Sequence, residues 1–205
     1  MPKSNFISGE GVRLLVWDLT ESIDELSKQL TSFNEIEFDK IVSEKRKREF
    51  LGVQVAMKEL LGKEVQISHD VDGKPFLSDD SYQISISHSK NWIAVMAHST
   101  CSIGVDVECP NDKIQKIYTR FLSNVEQKDL SNGKNINQLL LAWSVKEALY
   151  KIIGKEAVDF ANQLRIFHFE PKLSGEIMAQ HTPTKKLYQL RYIQNSAYTL
   201  VYCVD

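Results

Sequence analysis

The sequence predicts an α+β fold, with long helices packed on largely antiparallel sheets. Segments that alternate apolar and polar residues, the pattern of strands with one buried face, recur along the chain. Two longer segments, each closed by a glycine, are predicted to be helices. Both halves of the 205-residue chain run strand, helices, then strands. A chain of this length forms one large domain or two small ones.

Composition is typical of a soluble globular protein. Hydrophobic residues make up 42% of the sequence and charged residues 25%. The net charge of −2 gives no global basic field for nucleic acid, so a polyanion must be bound by a local cluster. We expect a cytoplasmic protein without a membrane segment, since neither a signal-peptide core nor a long apolar run occurs. Cys101, Cys109 and Cys203 lack metal-ligand spacing, so we expect reduced, structural thiols.

The N-terminal half begins with a predicted buried strand over residues 12–19 and a helix capped by Ser22. A second helix is predicted from about residue 36 to residue 61, closed by Gly62. Four consecutive cations occupy positions 45–48 of that helix. Such a run is commonly a solvated turn, and a phosphate site is the alternative if further anion-binding groups accompany it.

Further candidate anion-binding groups follow along the chain. The Asp-Gly pair at residues 72–73 predicts a turn that presents Lys74 at an exposed tip. The alternating strand over residues 84–89 ends in Ser-His-Ser, which includes Ser87 and His88. No acidic neighbour or elbow glycine indicates a hydrolase triad, so we interpret this pair as hydrogen-bond donors to an anion.

Residues 103–108 form the central strand of the prediction, because apolar residues alternate there with Gly104, Asp106 and Glu108. Both carboxylates therefore point to the same side, where their repulsion requires compensation. A Mg2+ ion is a candidate, since it prefers oxygen ligands, and Gly104 leaves room for a ligand. A solvated strand face is the alternative.

The C-terminal half contains a capping box at residues 123–126 and a long helix predicted from about residue 137 to residue 153. One face of that helix is predicted to be the main core contact: Leu141, Val145, Ala148, Leu149 and Ile152. Glu147 and Lys151 lie opposite, on a face that we expect to be half covered. A surface ion pair is the simpler interpretation of these two residues. Strands are predicted over residues 164–169, 177–180, 187–193 and 198–204.

Four motifs in this order resemble those of the 4'-phosphopantetheinyl transferase superfamily, and the length is similar to its Sfp-type, two-halved monomeric branch. They are Gly73-Lys74-Pro75, Ser87-His88-Ser89, residues 103–108 and residues 143–151. The resemblance implies two similar α+β halves, 1–100 and 101–205, related by a pseudo-twofold axis, each with a long helix packed on its sheet. It also implies coenzyme A in the cleft between them, with nucleotide contacts from the N-terminal half.

The implied reaction is Mg2+-dependent transfer of 4'-phosphopantetheine from coenzyme A to a carrier-protein serine, releasing adenosine 3',5'-bisphosphate. The resemblance assigns Asp106, Glu108 and Glu147 as Mg2+ ligands and Lys151 to the pyrophosphate. We expect Glu147 to accept the serine proton, with Glu108 or a metal-bound water as alternatives. Lys146, about 100 degrees round the helix from Glu147, is expected to assist catalysis.

Coenzyme A contacts are also implied by the resemblance, at Lys74, Ser87 and His88. One departure concerns Gln54, which stands where many members of the family carry an arginine. Arg48 or Arg46 is then expected to bind the 3'-phosphate of the nucleotide.

The implied partner is an acyl, peptidyl or aryl carrier protein of fatty acid, polyketide or nonribosomal peptide synthesis. Such carriers present an acidic helix, and residues 118–122, with Arg120 and Phe121, are a candidate docking segment, as is the exposed part of the helix after Ser123. Two other functions are compatible with the motifs. One is a non-catalytic module that binds coenzyme A or a carrier, and the other is a Mg2+-dependent phosphohydrolase.

Overall fold

The computed structural model of the chain describes residues 4–9, 11–130, 133–154 and 158–205. It contains two compact units, Met1–Cys101 and Ser102–Asp205. Every strand pairing described within them is antiparallel. Helices pack on these sheets in both units. The predicted α+β fold is therefore confirmed.

The N-terminal unit contains six strands and three helices within the described ranges. The strands are β1 Ser4–Gly9, β2 Val12–Asp18, β3 Ile67–His69, β4 Pro75–Leu77, β5 Gln83–Ser89 and β6 Trp92–His98. The helices are α1 Ile23–Ser27, α2 Glu35–Lys40 and α3 Glu44–Leu61. One sheet has the order β1-β2-β6-β5, and β3 and β4 pair separately. The apolar face of α3 packs on β2 and β6 and forms the core of this unit.

The helix predicted over residues 36–61 is interrupted in the structure, so that prediction was wrong. α2 ends one residue before Ile41, whose backbone is extended at φ −81° and ψ 116°. Ser43 then begins α3 as its N-cap, accepting a hydrogen bond from the Arg46 amide. Serine favours such a helix start because its hydroxyl satisfies an amide that has no partner within the helix. The predicted end is confirmed, since Gly62 closes α3 at a φ of 71°.

Three other local predictions are confirmed. Ser22 caps α1, forming a reciprocal capping box with Glu25. Ser123 and Glu126 form the predicted capping box at the start of α5, which covers Asn124–Asp129. The turn at residues 72–73 joins β3 to β4 as a short hairpin.

The C-terminal unit contains five strands and four helices within the described ranges. The strands are β7 Ile103–Glu108, β8 Leu164–Ile166, β9 Ser174–His181, β10 Lys186–Gln194 and β11 Thr199–Val204. The helices are α4 Ile114–Phe121, α5 Asn124–Asp129, α6 Ile136–Ile153 and α7 Phe160–Gln163. The sheet has the order β7-β11-β10-β9-β8, and α6 packs across β7 and β11. The three cysteines of the chain are free thiols.

The predicted core face of α6 is confirmed: Leu141, Val145, Ala148, Leu149 and Ile152 are buried. Gly104 explains how closely β7 can approach this helix. A Cβ at position 104 would lie 2.0 Å from the Ala148 carbonyl oxygen, so any side chain would push the two elements apart. The suggestion that Gly104 leaves room for a ligand was therefore wrong, because helix backbone fills that space.

Candidate active site

The carboxylates of β7 meet a stripe of side chains on α6. Trp143, Glu147 and Lys151 recur at four-residue spacing, which places them along one side of the helix. Asp106 and Glu108 share one face of β7, the face that also carries the glycine against α6. The strand face and the helical stripe therefore form one candidate site.

Three hydrogen bonds fix the ends of this arrangement. The Lys151 ammonium donates to the Val105 carbonyl at 2.7 Å and to Asp106 Oδ1 at 3.2 Å. The Trp143 indole N–H donates to Glu108 Oε1 at 3.2 Å. Since one end of the stripe contacts Glu108 and the other contacts Asp106, the helix runs antiparallel to the strand.

Glu147 lies between the two ends of the stripe, midway between Trp143 and Lys151 in sequence. Its pKa is raised from 4.5 to about 7, first by burial and next by the negative charge of Asp106. Lys151 partly opposes this shift, and Glu108 adds to it. Glu147 is therefore close enough to Asp106 and Glu108 to feel the negative charge of both carboxylates.

This cluster has the donor chemistry of a Mg2+ site. It combines three carboxylates with one ammonium, and hard divalent cations prefer carboxylate oxygens. Across the described part of the chain, no group of three or more His, Cys, Asp or Glu side chains is arranged to hold a metal as it stands. Asp106 is 4% exposed and ion-paired to Lys151. The residues thus fit Mg2+ by charge and atom type, and Lys151 lies beside them as a positive charge.

Lys146 lies in the core instead of joining this cluster. Its side chain is 0% exposed, and its ammonium donates to Glu126 Oε2 at 2.9 Å. It also donates to the carbonyls of Phe160 and Leu164, each at 2.7 Å. The three N–H donors of the ammonium are thereby satisfied by α5, α7 and the start of β8.

Glu126 was predicted from the sequence only as part of a helix cap, and its place in this network was missed. Its carboxylate accepts the Ser123 amide at 2.8 Å and the Ile166 amide at 2.8 Å, besides pairing with Lys146. Only its capping-box spacing was visible in the sequence. The pairing with a lysine twenty positions away needs the folded unit, so no local pattern could reveal it.

The N-terminal unit has its own candidate site, a cavity of about 440 Å³ between α3, the β3-β4 hairpin and β5. Its polar lining consists of Arg46, Glu49, Gln54, His69 and His88. Apolar side chains line the rest: Ile41, Phe50, Val53, Ile67, Pro75 and Ile86. A few polar groups among apolar walls are typical of small-ligand pockets.

The predicted coenzyme A contacts do not all meet at this cavity. His88 lines it, and Lys74 lies between Gly73 and Pro75, which also line it. Ser87 adjoins His88 on β5, so its side chain points to the opposite face of the strand, where it is buried. Arg48 lines a different cavity, beside the start of α1, and donates to Asn91 Oδ1 at 3.2 Å.

The predicted docking segment, residues 118–122, is only partly exposed. Arg120 lies on the surface. Phe121 is buried and packs edge-on against Trp143, with ring centroids 5.1 Å apart. Phe121 therefore supports the tryptophan that holds Glu108, and an exposed role for it was a wrong expectation.

Comparison with known proteins gives two matches. Residues 102–203 match a family model of the 4'-phosphopantetheinyl transferase superfamily. The chain is 25% identical over 121 residues to a Haemophilus influenzae protein provisionally named a 4'-phosphopantetheinyl transferase. That match covers 56% of this chain and 51% of the relative, so the chain spans about half the length of the curated protein. Among the described helices, none combines the length and apolarity needed to cross a bilayer.

Proposed function

Since the C-terminal unit of this chain, residues 102–203, belongs to the 4'-phosphopantetheinyl transferase superfamily, we propose that the chain is a phosphopantetheinyl transferase of the two-halved, monomeric branch. It transfers 4'-phosphopantetheine from coenzyme A to a serine of an apo carrier protein. The observation that carries this proposal is the cluster of Asp106, Glu108 and Glu147 beside Lys151.

The reaction exchanges one phosphorus–oxygen bond for another. The serine oxygen bonds to the phosphorus that carries pantetheine, and the bond from that phosphorus to the bridging oxygen breaks. Adenosine 3',5'-bisphosphate leaves, and the serine proton passes to a base. The site must therefore compensate charge on the pyrophosphate oxygens and accept one proton.

Asp106, Glu108 and Glu147 would hold the Mg2+ ion. When bound, Mg2+ compensates the charge of the pyrophosphate. Lys151 contributes a second positive charge beside Asp106 and would move toward the pyrophosphate oxygens, since its chain is flexible and half-buried. Trp143 holds the Glu108 carboxylate in place through its indole N–H.

Glu147 is the proton acceptor that we favour. Without a bound cation its pKa is raised to about 7 by burial and by the charge of Asp106, so its carboxylate is more basic than an ordinary glutamate side chain. Glu108 is the alternative base. Lys146 acts through the fold in this proposal, since its ammonium is enclosed by Glu126 and two carbonyls.

The cavity of the N-terminal unit supports the coenzyme A assignments in that half. His88 and Arg46 line the cavity and can pair with phosphate, and Lys74 lies at its hairpin wall. Arg48 and Ser87 stay in the proposed set, although neither lines this cavity. Apolar walls that include Phe50 suit a purine base.

An acidic carrier helix fits the outer face of α4. Lys113, Lys116 and Arg120 are exposed at spacings that share one side of this helix. Reversing all three charges to Glu should lower kcat/KM for the carrier several-fold at low salt. An unchanged kcat/KM and salt dependence would exclude this face as the docking surface.

The direct test incubates the purified chain with Mg2+, coenzyme A and a panel of apo acyl, peptidyl and aryl carriers. We expect the phosphopantetheine mass to appear on at least one carrier and adenosine 3',5'-bisphosphate to appear in solution. Release of phosphate without a carrier would instead indicate a phosphohydrolase. Coenzyme A binding that is insensitive to Mg2+, without transfer to any carrier, would indicate a binding module.

A further inference from the structure

Glu49 is a buried carboxylate in the wall of the N-terminal cavity. It lies on α3, is 5% exposed and lines the cavity together with Arg46 and His88. Its Oε2 atom is buried and accepts no hydrogen bond within the described part of the chain. Carboxylates are rarely buried without tight partners, so this placement calls for a reason.

The charged partners recorded for Glu49 are basic side chains. Its Oε1 lies 3.6 Å from the Lys45 ammonium and 3.9 Å from His88 Nδ1, and its Oε2 lies 3.5 Å from the Arg46 guanidinium. These separations exceed the usual length of an N–H···O hydrogen bond. Glu49 therefore compensates the charge of Arg46 in the cavity wall, and of His88 when that side chain is protonated, without binding either of them tightly.

Stability alone gives no account of this arrangement. Ion pairs between neighbouring turns of a helix contribute only about 0.3–0.5 kcal/mol. Lys45 and Arg46 are largely exposed, which weakens their pairing further. Burying the carboxylate opposes that small gain, because desolvation disfavours its charged form.

A phosphate that entered this cavity would meet the negative charge of Glu49 as well as the cations. The polar lining next to it is neutral at Gln54, an amide on the same helix. The cavity thus offers cations that a carboxylate already compensates, together with an amide that suits uncharged groups. Such a lining can bind a nucleoside, while an additional phosphate group on that nucleoside contributes little to the affinity.

We propose that Glu49 determines substrate specificity: it weakens recognition of the 3'-phosphate, so that the protein also uses the form of coenzyme A with a free 3'-hydroxyl. This inference rests on the proposed transferase function and deepens it. The reacting pyrophosphate is identical in the two substrates, so the transfer step itself is the same.

The test compares kcat/KM for coenzyme A and for 3'-dephospho-coenzyme A, with one apo carrier, in the wild type and in Glu49→Gln. We expect the wild type to prefer coenzyme A by less than about tenfold. Glu49→Gln should raise that preference by about tenfold, which corresponds to the loss of about 1.4 kcal/mol of repulsion between Glu49 and the 3'-phosphate. The gain should come from a lower KM for coenzyme A, with 3'-dephospho-coenzyme A almost unchanged.

Two variants control for general effects on the helix. Glu59→Gln removes the same charge from an exposed position of α3 outside the cavity lining and should keep the wild-type ratio. Glu49→Asp keeps the charge and should also keep it. Calorimetry with adenosine 3',5'-bisphosphate and adenosine 5'-monophosphate provides a readout without any carrier, and the Glu49→Gln variant should favour the bisphosphate.

An unchanged ratio in folded Glu49→Gln would overturn the inference. A wild-type preference for coenzyme A above about a hundredfold would do the same, even if Glu49→Gln did not fold. Absence of transfer with both substrates would instead reject the proposed transferase function, so the two failures are distinguishable.

Discussion

The two units use one architecture to build sites of different charge. Each packs an 18-residue helix, α3 or α6, on an antiparallel sheet, and each helix begins at a polar N-cap and ends at a glycine. The cavity beside α3 has Arg46 and His88 next to one buried carboxylate, Glu49. The face of α6 opposes three carboxylates with one lysine. The first suits a nucleoside with few charged groups and the second suits a metal cation, and the transferase proposal assigns these two ligands to the two units.

The units also differ in how they bury charge. Glu49 of α3 has only long contacts, whereas Lys146 of α6 has three hydrogen bonds of 2.9 Å or less. A buried charge whose hydrogen bonds are short and complete stabilises the fold, whereas a buried charge without such bonds can attract or repel a ligand that enters its cavity. Substitution of Lys146 should therefore lower stability, whereas substitution of Glu49 should change ligand binding.

The largest effect is expected when the buried ion pair of α6 is broken. Lys146→Met leaves the Glu126 carboxylate enclosed without its cation and should destabilise the C-terminal unit by about 3–5 kcal/mol. Unfolding in urea, followed by the fluorescence of Trp143 in a variant whose other tryptophans are replaced, measures this loss.

A double variant distinguishes pairing from packing. Adding Glu126→Gln to Lys146→Met removes the stranded charge and should recover part of the lost stability. Equal stability of the single and double variants would show that the ion pair is not what Lys146 contributes.

The next largest effect concerns chemistry and should leave folding intact. Glu147→Gln removes the favoured base and one proposed Mg2+ ligand, so kcat should fall by about 10² to 10⁴-fold. Calorimetry of adenosine 3',5'-bisphosphate without Mg2+ should show an unchanged dissociation constant, because the proposed nucleotide contacts lie in the other unit. Wild-type turnover in Glu147→Gln would contradict the assignment, and the same measurement on Glu108→Gln tests the alternative base.

Lys146 and Glu147, which are adjacent on α6, differ in how far the sequence predicts their surroundings. Helical spacing was enough to predict that Glu147 and Lys151 lie on one side of α6. Helical spacing also separates Lys146 from that side, but it cannot show what surrounds the ammonium. Its partners, Glu126 and the Phe160 carbonyl, come from segments far along the chain.

In the N-terminal half, local patterns predicted the ends of elements better than their continuity. Gly62 marks the end of α3 as predicted, whereas the break at Ile41 was missed, since Ser43 as an N-cap competes with an otherwise helical pattern. The cation run at positions 45–48 was visible, but the buried Glu49 that compensates part of it was not. Burial depends on the sheet behind the helix, which the run itself does not encode.

A third prediction uses the acidity of Glu147 in the absence of Mg2+. Its pKa rises from 4.5 to about 7 on folding, chiefly by burial. A carboxyl with a raised pKa ionises first in the unfolded chain, so the free energy of unfolding should fall as pH rises from about 4.5 to about 7, by about 3 kcal/mol at most. Urea unfolding of the metal-free protein at pH 5 and pH 8 measures the difference.

In Glu147→Gln this pH dependence should be much smaller. Added Mg2+ at pH 8 should stabilise the wild type more than the variant, because the cation compensates the ionised cluster. Identical pH profiles for the two proteins would mean that Glu147 does not carry the raised pKa.

The smallest effect separates two arginines of the N-terminal unit. Arg46 lines the cavity with His88, whereas Arg48 lines another cavity and bonds to Asn91. Arg46→Gln should weaken adenosine 3',5'-bisphosphate binding by a few-fold up to about tenfold, as for loss of one exposed phosphate contact. Arg48→Gln should have the smaller effect, although both variants lose the same charge from the same helix. Because both variants lose the same charge, a larger loss of affinity for Arg48→Gln could not be due to net charge. It would indicate that the nucleotide binds in the cavity beside α1.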